Sequence, residues 1–131
     1  MRLKTYFARL VALLENQPFL ESRQLFFDER PPDAAVIKLT ITFVDGSKLH
    51  IKEFIVFGQR NARVVKYGYN YLADDDSLVF RYDNALDPAA RDLPTYPEHK
   101  HEPAGIRAAH RVEHLELMEE INQIISVSFR E

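Results

Sequence analysis

The chain has 131 residues, a length that fits one domain around one core, and a net charge of −3. Hydrophobic residues make up 46% and charged residues 28% of it, an ordinary globular composition that argues against disorder. Cysteine is absent, which excludes disulfides, thiolate metal sites and cysteine nucleophiles. The acidic balance argues against coating of nucleic acid by bulk charge, although a local basic patch is compatible with brief RNA binding.

The chain opens on an amphipathic pattern. Apolar residues recur at helical spacing, which predicts a helix over 2–16 that Pro18 ends. The start lacks the continuous apolar stretch of a signal peptide, and no run approaches the roughly 20 residues that span a membrane. We therefore expect a cytoplasmic protein that does not enter a membrane.

Strand patterns follow, over 20–29, 35–44, the segment after Asp45-Gly46, 63–72 and 77–84. A two-residue loop at Asp45-Gly46 would mix apolar and polar faces. A three-residue loop, Val44 to Gly46 with a left-handed glycine, keeps apolar side chains opposite apolar ones. It predicts these pairs: Phe43 with Ser47, Ile41 with Leu49, Leu39 with Ile51, and Ile37 with Glu53.

That register places Glu53 on the apolar face of its strand. A buried, unpaired carboxylate would cost several kcal/mol, on the order of the desolvation of a charge. Glu53 is therefore expected at the sheet margin, paired with a cation, or in a functional site.

The last two strand patterns leave one register open. An even-numbered loop after Tyr71 would place the tyrosines at 67, 69 and 71 in the core, beside Phe80 and Tyr82. An odd-numbered loop would place them beside Arg81 and Asp83, where they could stack on bases. Arg81 and Asp83 themselves fit either an ion pair on a wet sheet face or a catalytic pair.

Residues 85–104 contain four of the seven prolines and show no periodicity, so we expect a long irregular connection. A final helix is predicted over about 107–125, with His110 and His114 one turn apart as a ligand pair or, more commonly, an exposed polar stripe. The order of elements predicts an α+β fold in one domain, 1–131: an antiparallel β-meander of about five strands flanked by N-terminal and C-terminal helices.

The irregular connection contains "PEHKHE", residues 97–102. In an extended segment His99 and His101 would project to the same side, as a metal-ligand pair does, but Lys100 between them disfavours a cation. Acid–base chemistry fits better, because imidazoles titrate near neutral pH, and Lys100 and Arg81 could stabilise a phosphate. A charged, solvated surface loop is an equally ordinary explanation.

The chain resembles the TumE family of bacterial toxin–antitoxin proteins. The likeness extends over nearly the whole chain and is most specific at "FRYDN", residues 80–84, followed by a loop and the His-Lys-His motif. Two features depart from the family pattern: Glu98 stands where a second histidine is frequent, and the loop after Asn84 is long.

The resemblance implies a toxin that pairs with a helix-turn-helix antitoxin and acts on RNA. It also implies a ribonuclease site formed by Arg81, Asp83, His99, Lys100 and His101, with Glu53 near it. The acid–base chemistry of these residues predicts cleavage without a metal or other cofactor. The chain could act as a homodimer. The alternative is a non-catalytic protein-binding or regulatory module, which would inhibit its target in proportion to stoichiometry rather than time. A third interpretation is a metal-dependent hydrolase or nuclease, which a chelator would inhibit.

Overall fold

The computed structural model describes residues 3–130, with only the backbone of 129 and 130, and it contains two helices and seven strands. The elements are α1 (Leu3–Glu15), β1 (Leu20–Arg30), β2 (Ala34–Phe43), β3 (Lys48–Phe57), β4 (Ala62–Leu72), β5 (Leu78–Asp83), β6 (His99–Glu102), β7 (Gly105–Ala108) and α2 (His114–Arg130). All seven strands form one antiparallel sheet in chain order. The predicted α+β meander between two helices is confirmed, with seven strands instead of about five; Arg2, at the start of the predicted first helix, lies outside the described residues.

The region after β5 differs most from the prediction. The connection expected to be irregular contains a 3-10 turn at Pro88–Ala90 and strand β6, which pairs with β5 and then with β7. The final helix begins at His114 instead of residue 107, because residues 105–108 belong to β7, and it continues to Arg130. His110 therefore precedes the helix that carries His114.

The hairpin between β2 and β3 has the predicted register. Phe43 N–H donates to the Ser47 carbonyl at 2.9 Å, and Gly46 has a φ of +84°, the left-handed conformation that the three-residue loop requires. Ile41 pairs with Leu49, Leu39 with Ile51 and Ile37 with Glu53. Register here follows from the need to keep one face of both strands apolar.

The sheet has one face covered by the helices, here called the helix face, and an opposite open face. The core lies on the helix face, where Leu10 and Leu14 of α1 and Leu117, Met118, Ile121 and Ile125 of α2 are buried with the apolar sheet residues. Tyr71 pairs with Phe80 and Tyr69 with Tyr82, so the even-numbered register is correct and the tyrosines pack in the core. Neither described helix combines the length and apolar character that crossing a bilayer requires.

Candidate active site on the open face of the sheet

Pairing of β5 with β6 brings four of the predicted site residues together. Asp83 lies opposite His99, and Arg81 lies opposite His101. Because side chains alternate along a strand, all four point to the open face, while Tyr82 and Lys100 point to the helix face. The two-residue spacing within "RYD" and "HKH" therefore places two imidazoles, a carboxylate and a guanidinium side by side.

Three of these side chains converge on one point and are called here the Asp-His-His cluster: Asp83, His99 and His101. His99 Nε2 lies 3.0 Å from His101 Nε2 and 3.1 Å from Asp83 Oδ1. His101 Nε2 lies 3.6 Å from Asp83 Oδ2. The His99 side chain is fully buried, whereas that of His101 is 26% exposed, so His101 is the imidazole that solvent can reach.

Backbone and neighbouring groups fix the orientation of the cluster. His99 Nδ1 lies 2.7 Å from the Pro97 carbonyl. Since a carbonyl only accepts, Nδ1 carries a proton, and in neutral His99 the Nε2 lone pair faces the cluster. Asp83 Oδ1 accepts from Ala85 N–H at 2.9 Å, and Oδ2 accepts from Arg81 Nε at 2.8 Å.

Arg81 lies flat across the neighbouring strand, over Gly68. A Cβ at Gly68 would come within 2.7 Å of the Arg81 Nη2 atom. The Arg81 side chain is 41% exposed, so it keeps part of its guanidinium free for a ligand while Nε binds Asp83. The absence of a side chain at position 68 is thus what lets Arg81 adopt this position.

Changing Gly68 to alanine is expected to displace Arg81. Any reaction rate at this site that depends on the position of Arg81 should then fall about ten- to hundredfold, the range for a misplaced catalytic group. The exposed guanidinium can move, so the thermal midpoint should change little. In an Arg81→Ala background the same glycine substitution should have no further effect. Full activity of Gly68→Ala in the otherwise natural chain would show that the position of Arg81 does not matter.

Lys100 does not join the cluster. Its Nζ lies 2.7 Å from Glu120 Oε2 of α2 and over the rings of Phe80 and Tyr82, at 4.9 and 4.7 Å from their centroids. Burial alone would lower the pKa of Lys100, but the hydrogen bonds to Glu120 and Tyr82 raise it above its ordinary value. Lys100 therefore ties β6 to α2 as a cation on the helix face.

Glu53 is also on the helix face, fully buried between β3, α1 and α2. It accepts hydrogen bonds from the hydroxyls of Tyr6, at 2.7 Å, and Tyr69, and its Oε2 lies 2.9 Å from His114 Nε2. Burial would raise the pKa of Glu53, but His114, Tyr69 and Tyr6 together lower it below its ordinary value. Of the three predicted situations, the structure shows pairing with a potential cation, at the opposite side of the sheet from the Asp-His-His cluster.

Glu98, where the resemblance expects a histidine, holds the segment before α2 against the sheet. It accepts from the Tyr67 hydroxyl at 2.7 Å and from Arg111 N–H at 2.8 Å, and it lies 3.1 Å from His110 Nδ1. Burial would raise the pKa of Glu98, but these hydrogen bonds lower it. His110 is thereby the partner of a carboxylate outside the cluster.

A groove of about 800 Å³ runs across the open face beside Arg81. Its cations are Lys38, Lys52, Lys66 and Arg81. Lys38 and Lys52 are direct cross-strand neighbours, and within residues 3–130 none of the three lysines forms an ion pair with a carboxylate. The three lysines lie on three different strands, β2, β3 and β4. Only the register of these strands brings them together, so the sequence alone did not predict them as a site.

The comparisons with known proteins identify one matching family. A family model described as "Toxin TumE" matches residues 9–128. No curated protein and no solved structure matches the chain significantly. The match spans the sheet, the Asp-His-His cluster, the second half of α1 and nearly all of α2. Membership of a toxin family implies a cognate antitoxin. The resemblance seen in the sequence is confirmed: the chain belongs to the TumE toxin family.

Proposed function

We propose that this toxin acts by cleaving RNA at the Asp-His-His cluster. The observation that carries the proposal is the position of that cluster, with Arg81 between it and a groove lined by three lysines without carboxylate partners. Cations without carboxylate partners in a concave surface attract a phosphate backbone. Titratable groups at its edge are then within reach of a bound phosphodiester.

The exposure of each side chain determines its role in the proposed cleavage. The 2′-oxygen bonds to phosphorus, the bond from phosphorus to the 5′-oxygen breaks, and the leaving oxygen takes a proton from water. The proton of the 2′-hydroxyl passes to the cluster, and the exposed part of Arg81 stabilises the charge on the phosphorane. In the metal-free form of this chemistry, which the sequence favoured, His101 is the proton acceptor.

Buried His99 has a different role from the one expected. An acid and a base that act on opposite sides of a phosphate must both contact it. Full burial excludes His99 from the groove, so it serves as a positioning residue that holds His101 and Asp83. Lys100 and Glu53, which were predicted in or near the site, are assigned structural roles on the helix face instead.

RNA binding by the groove is tested with Lys52→Glu in a His101→Ala background, which prevents cleavage during the measurement. Fluorescence anisotropy with a single-stranded RNA oligonucleotide should show affinity about tenfold weaker and a shallower dependence on salt, because one phosphate contact is lost. Lys4→Glu is the charge-matched control, because Lys4 lies on α1, on the opposite side of the sheet from the groove. It should leave RNA binding close to that of the His101→Ala background. Equal binding by the two variants would contradict the assignment of the groove to RNA.

A non-catalytic inhibitor is the rival function. It predicts that the growth arrest caused by the toxin persists in His101→Ala and scales with the amount of target bound. A time-dependent loss of intact RNA that requires His101 would exclude it.

A further inference from the structure

We propose that Asp83, His99 and His101 bind one divalent transition-metal ion. Metal binding does not depend on the proposed function. Only the consequence of metal binding for RNA cleavage rests on that function. One ligand atom from each of the three residues lies within 4.8 Å of the other two. His99 Nε2 is 3.0 Å from His101 Nε2 and 3.1 Å from Asp83 Oδ1, and His101 Nε2 is 3.6 Å from the other carboxylate oxygen, Asp83 Oδ2. Ligands about 2.0–2.1 Å from a zinc ion lie roughly 3.3 Å apart in a tetrahedral arrangement, so these separations match a coordination sphere.

The convergence places a site for positive charge between the three side chains. In neutral His99 the Nε2 lone pair faces the carboxylate of Asp83 at 3.1 Å and the Nε2 of His101 at 3.0 Å. Two acceptors at such a distance repel each other unless a proton or a metal ion lies between them. A proton on Nε2 of His99 or of His101 lies between two of these groups, whereas a divalent ion contacts all three residues at once.

The groups behind the ligands match those that orient metal ligands in proteins. The other ring nitrogen of His99 binds the Pro97 carbonyl, which fixes the tautomer that coordinates through Nε2. Asp83 is held by Ala85 N–H and by Arg81 Nε. A site whose ligands are already oriented loses little freedom when the ion binds.

Two features bear on which ion would bind and how. Two imidazoles and one carboxylate favour zinc, manganese or iron(II) over calcium, which prefers all-oxygen sites. The partial exposure of His101 leaves coordination positions open toward solvent, as in catalytic sites. Asp87, whose Oδ2 lies 3.9 Å from His101 Nε2, can accept from water bound to the ion.

The sequence raised one main objection to a metal ion, the charge of Lys100, and the fold removes it. Lys100 stands between the two histidines in the chain, and its charge would disfavour an ion. The strand places Lys100 on the helix face, paired with Glu120. Arg81 is near the cluster, but Asp83 neutralises its charge.

An ion held by Asp83, His99 and His101 would give the proton in the proposed cleavage a defined acceptor. It would lower the pKa of a water molecule bound to it, and that water would then supply the base that takes the 2′-hydroxyl proton. The bond changes at phosphorus would be those of the proposed cleavage, with the 5′-oxygen leaving with a proton from solvent.

The test is titration of the purified, EDTA-treated and desalted chain with Co²⁺, followed by its visible absorption, and with Zn²⁺ by calorimetry. We expect one ion per chain, and affinity at least about tenfold weaker in His101→Ala and Asp83→Asn. His110→Ala, which changes an exposed imidazole outside the cluster, should bind like the natural chain. Circular dichroism shows that each variant is folded. Absence of stoichiometric binding, or equal binding by His101→Ala and His110→Ala, would overturn the proposal.

RNA cleavage separates this inference from the proposed function. Cleavage that EDTA stops and Zn²⁺ or Mn²⁺ restores would support the role of the ion. Cleavage that EDTA leaves unchanged would overturn that role and leave His101 as the acceptor. Stoichiometric binding without any cleavage would support the metal site and contradict the proposed ribonuclease.

Discussion

Changing His101 to alanine is expected to lower the rate of RNA cleavage at least about a hundredfold, the usual contribution of a positioned acid–base group. His101 is the only imidazole of the Asp-His-His cluster whose side chain is exposed to solvent. Whether it takes the proton itself or holds an ion, its Nε2 atom is required. Growth arrest on expression in a host without the antitoxin should be lost together with cleavage.

The stability of this variant should change little, because the lost ring is partly exposed. Thermal unfolding of His101→Ala and of the control His110→Ala should agree closely. A folded His101→Ala that still cleaves RNA and arrests growth at the natural level would show that the site is elsewhere.

The largest effect on stability is expected at Glu53. Replacing it by alanine leaves the hydroxyls of Tyr6 and Tyr69 without their acceptor and His114 without its carboxylate, all near the centre of the core. Breaking a buried pair in this way costs about 3–5 kcal/mol of unfolding free energy, a large share of the stability of a small domain. Urea denaturation followed by circular dichroism measures the loss.

The glutamine variant separates the charge from the shape of this side chain. Glu53→Gln should lose about 1–3 kcal/mol, because it still fills the site and accepts one hydrogen bond. The pKa of Glu53 is lowered in the fold, so its charge stabilises the native state fully above the ordinary value of 4.5 and loses that effect as the pH falls through the lowered pKa. The natural chain should thus lose more stability on acidification than Glu53→Gln; parallel curves for the two would contradict the lowered pKa.

The sequence was sufficient to predict the elements with strong periodicity. The alternation of apolar residues in β2 and β3, with Asp45-Gly46 between them, determined both strands and their register. The same reasoning singled out Glu53 as an anomaly. Its partners Tyr6 and His114 come from α1 and α2, so only the packing of both helices could identify them.

The short strands were beyond sequence reasoning because each has four residues and an unusual composition. β6 reads "HKHE", with no apolar alternation, and it forms because β5 and β7 provide hydrogen bonds on both sides. Val112 lies before the start of α2 but has the same apolar spacing as the helix. The sequence therefore predicted a helix that starts too early. The sequence predicted Arg81 and Asp83 on a strand and His99 to His101 in an irregular loop, whereas all five residues lie on the paired strands β5 and β6. Strand alternation divides the motif, so that His99 and His101 point to the open face and Lys100 points to the helix face.

The most direct test of the account is incubation of the purified chain with total RNA, with EDTA or with added Zn²⁺ and Mn²⁺, followed by analysis of fragment ends. The account predicts time-dependent cleavage in at least one condition, with 2′,3′-cyclic phosphate and 5′-hydroxyl ends, and intact RNA with His101→Ala in all of them. Intact RNA at concentrations of the natural chain that stop a cell-free translation reaction would contradict it and would identify the toxin as a non-catalytic inhibitor.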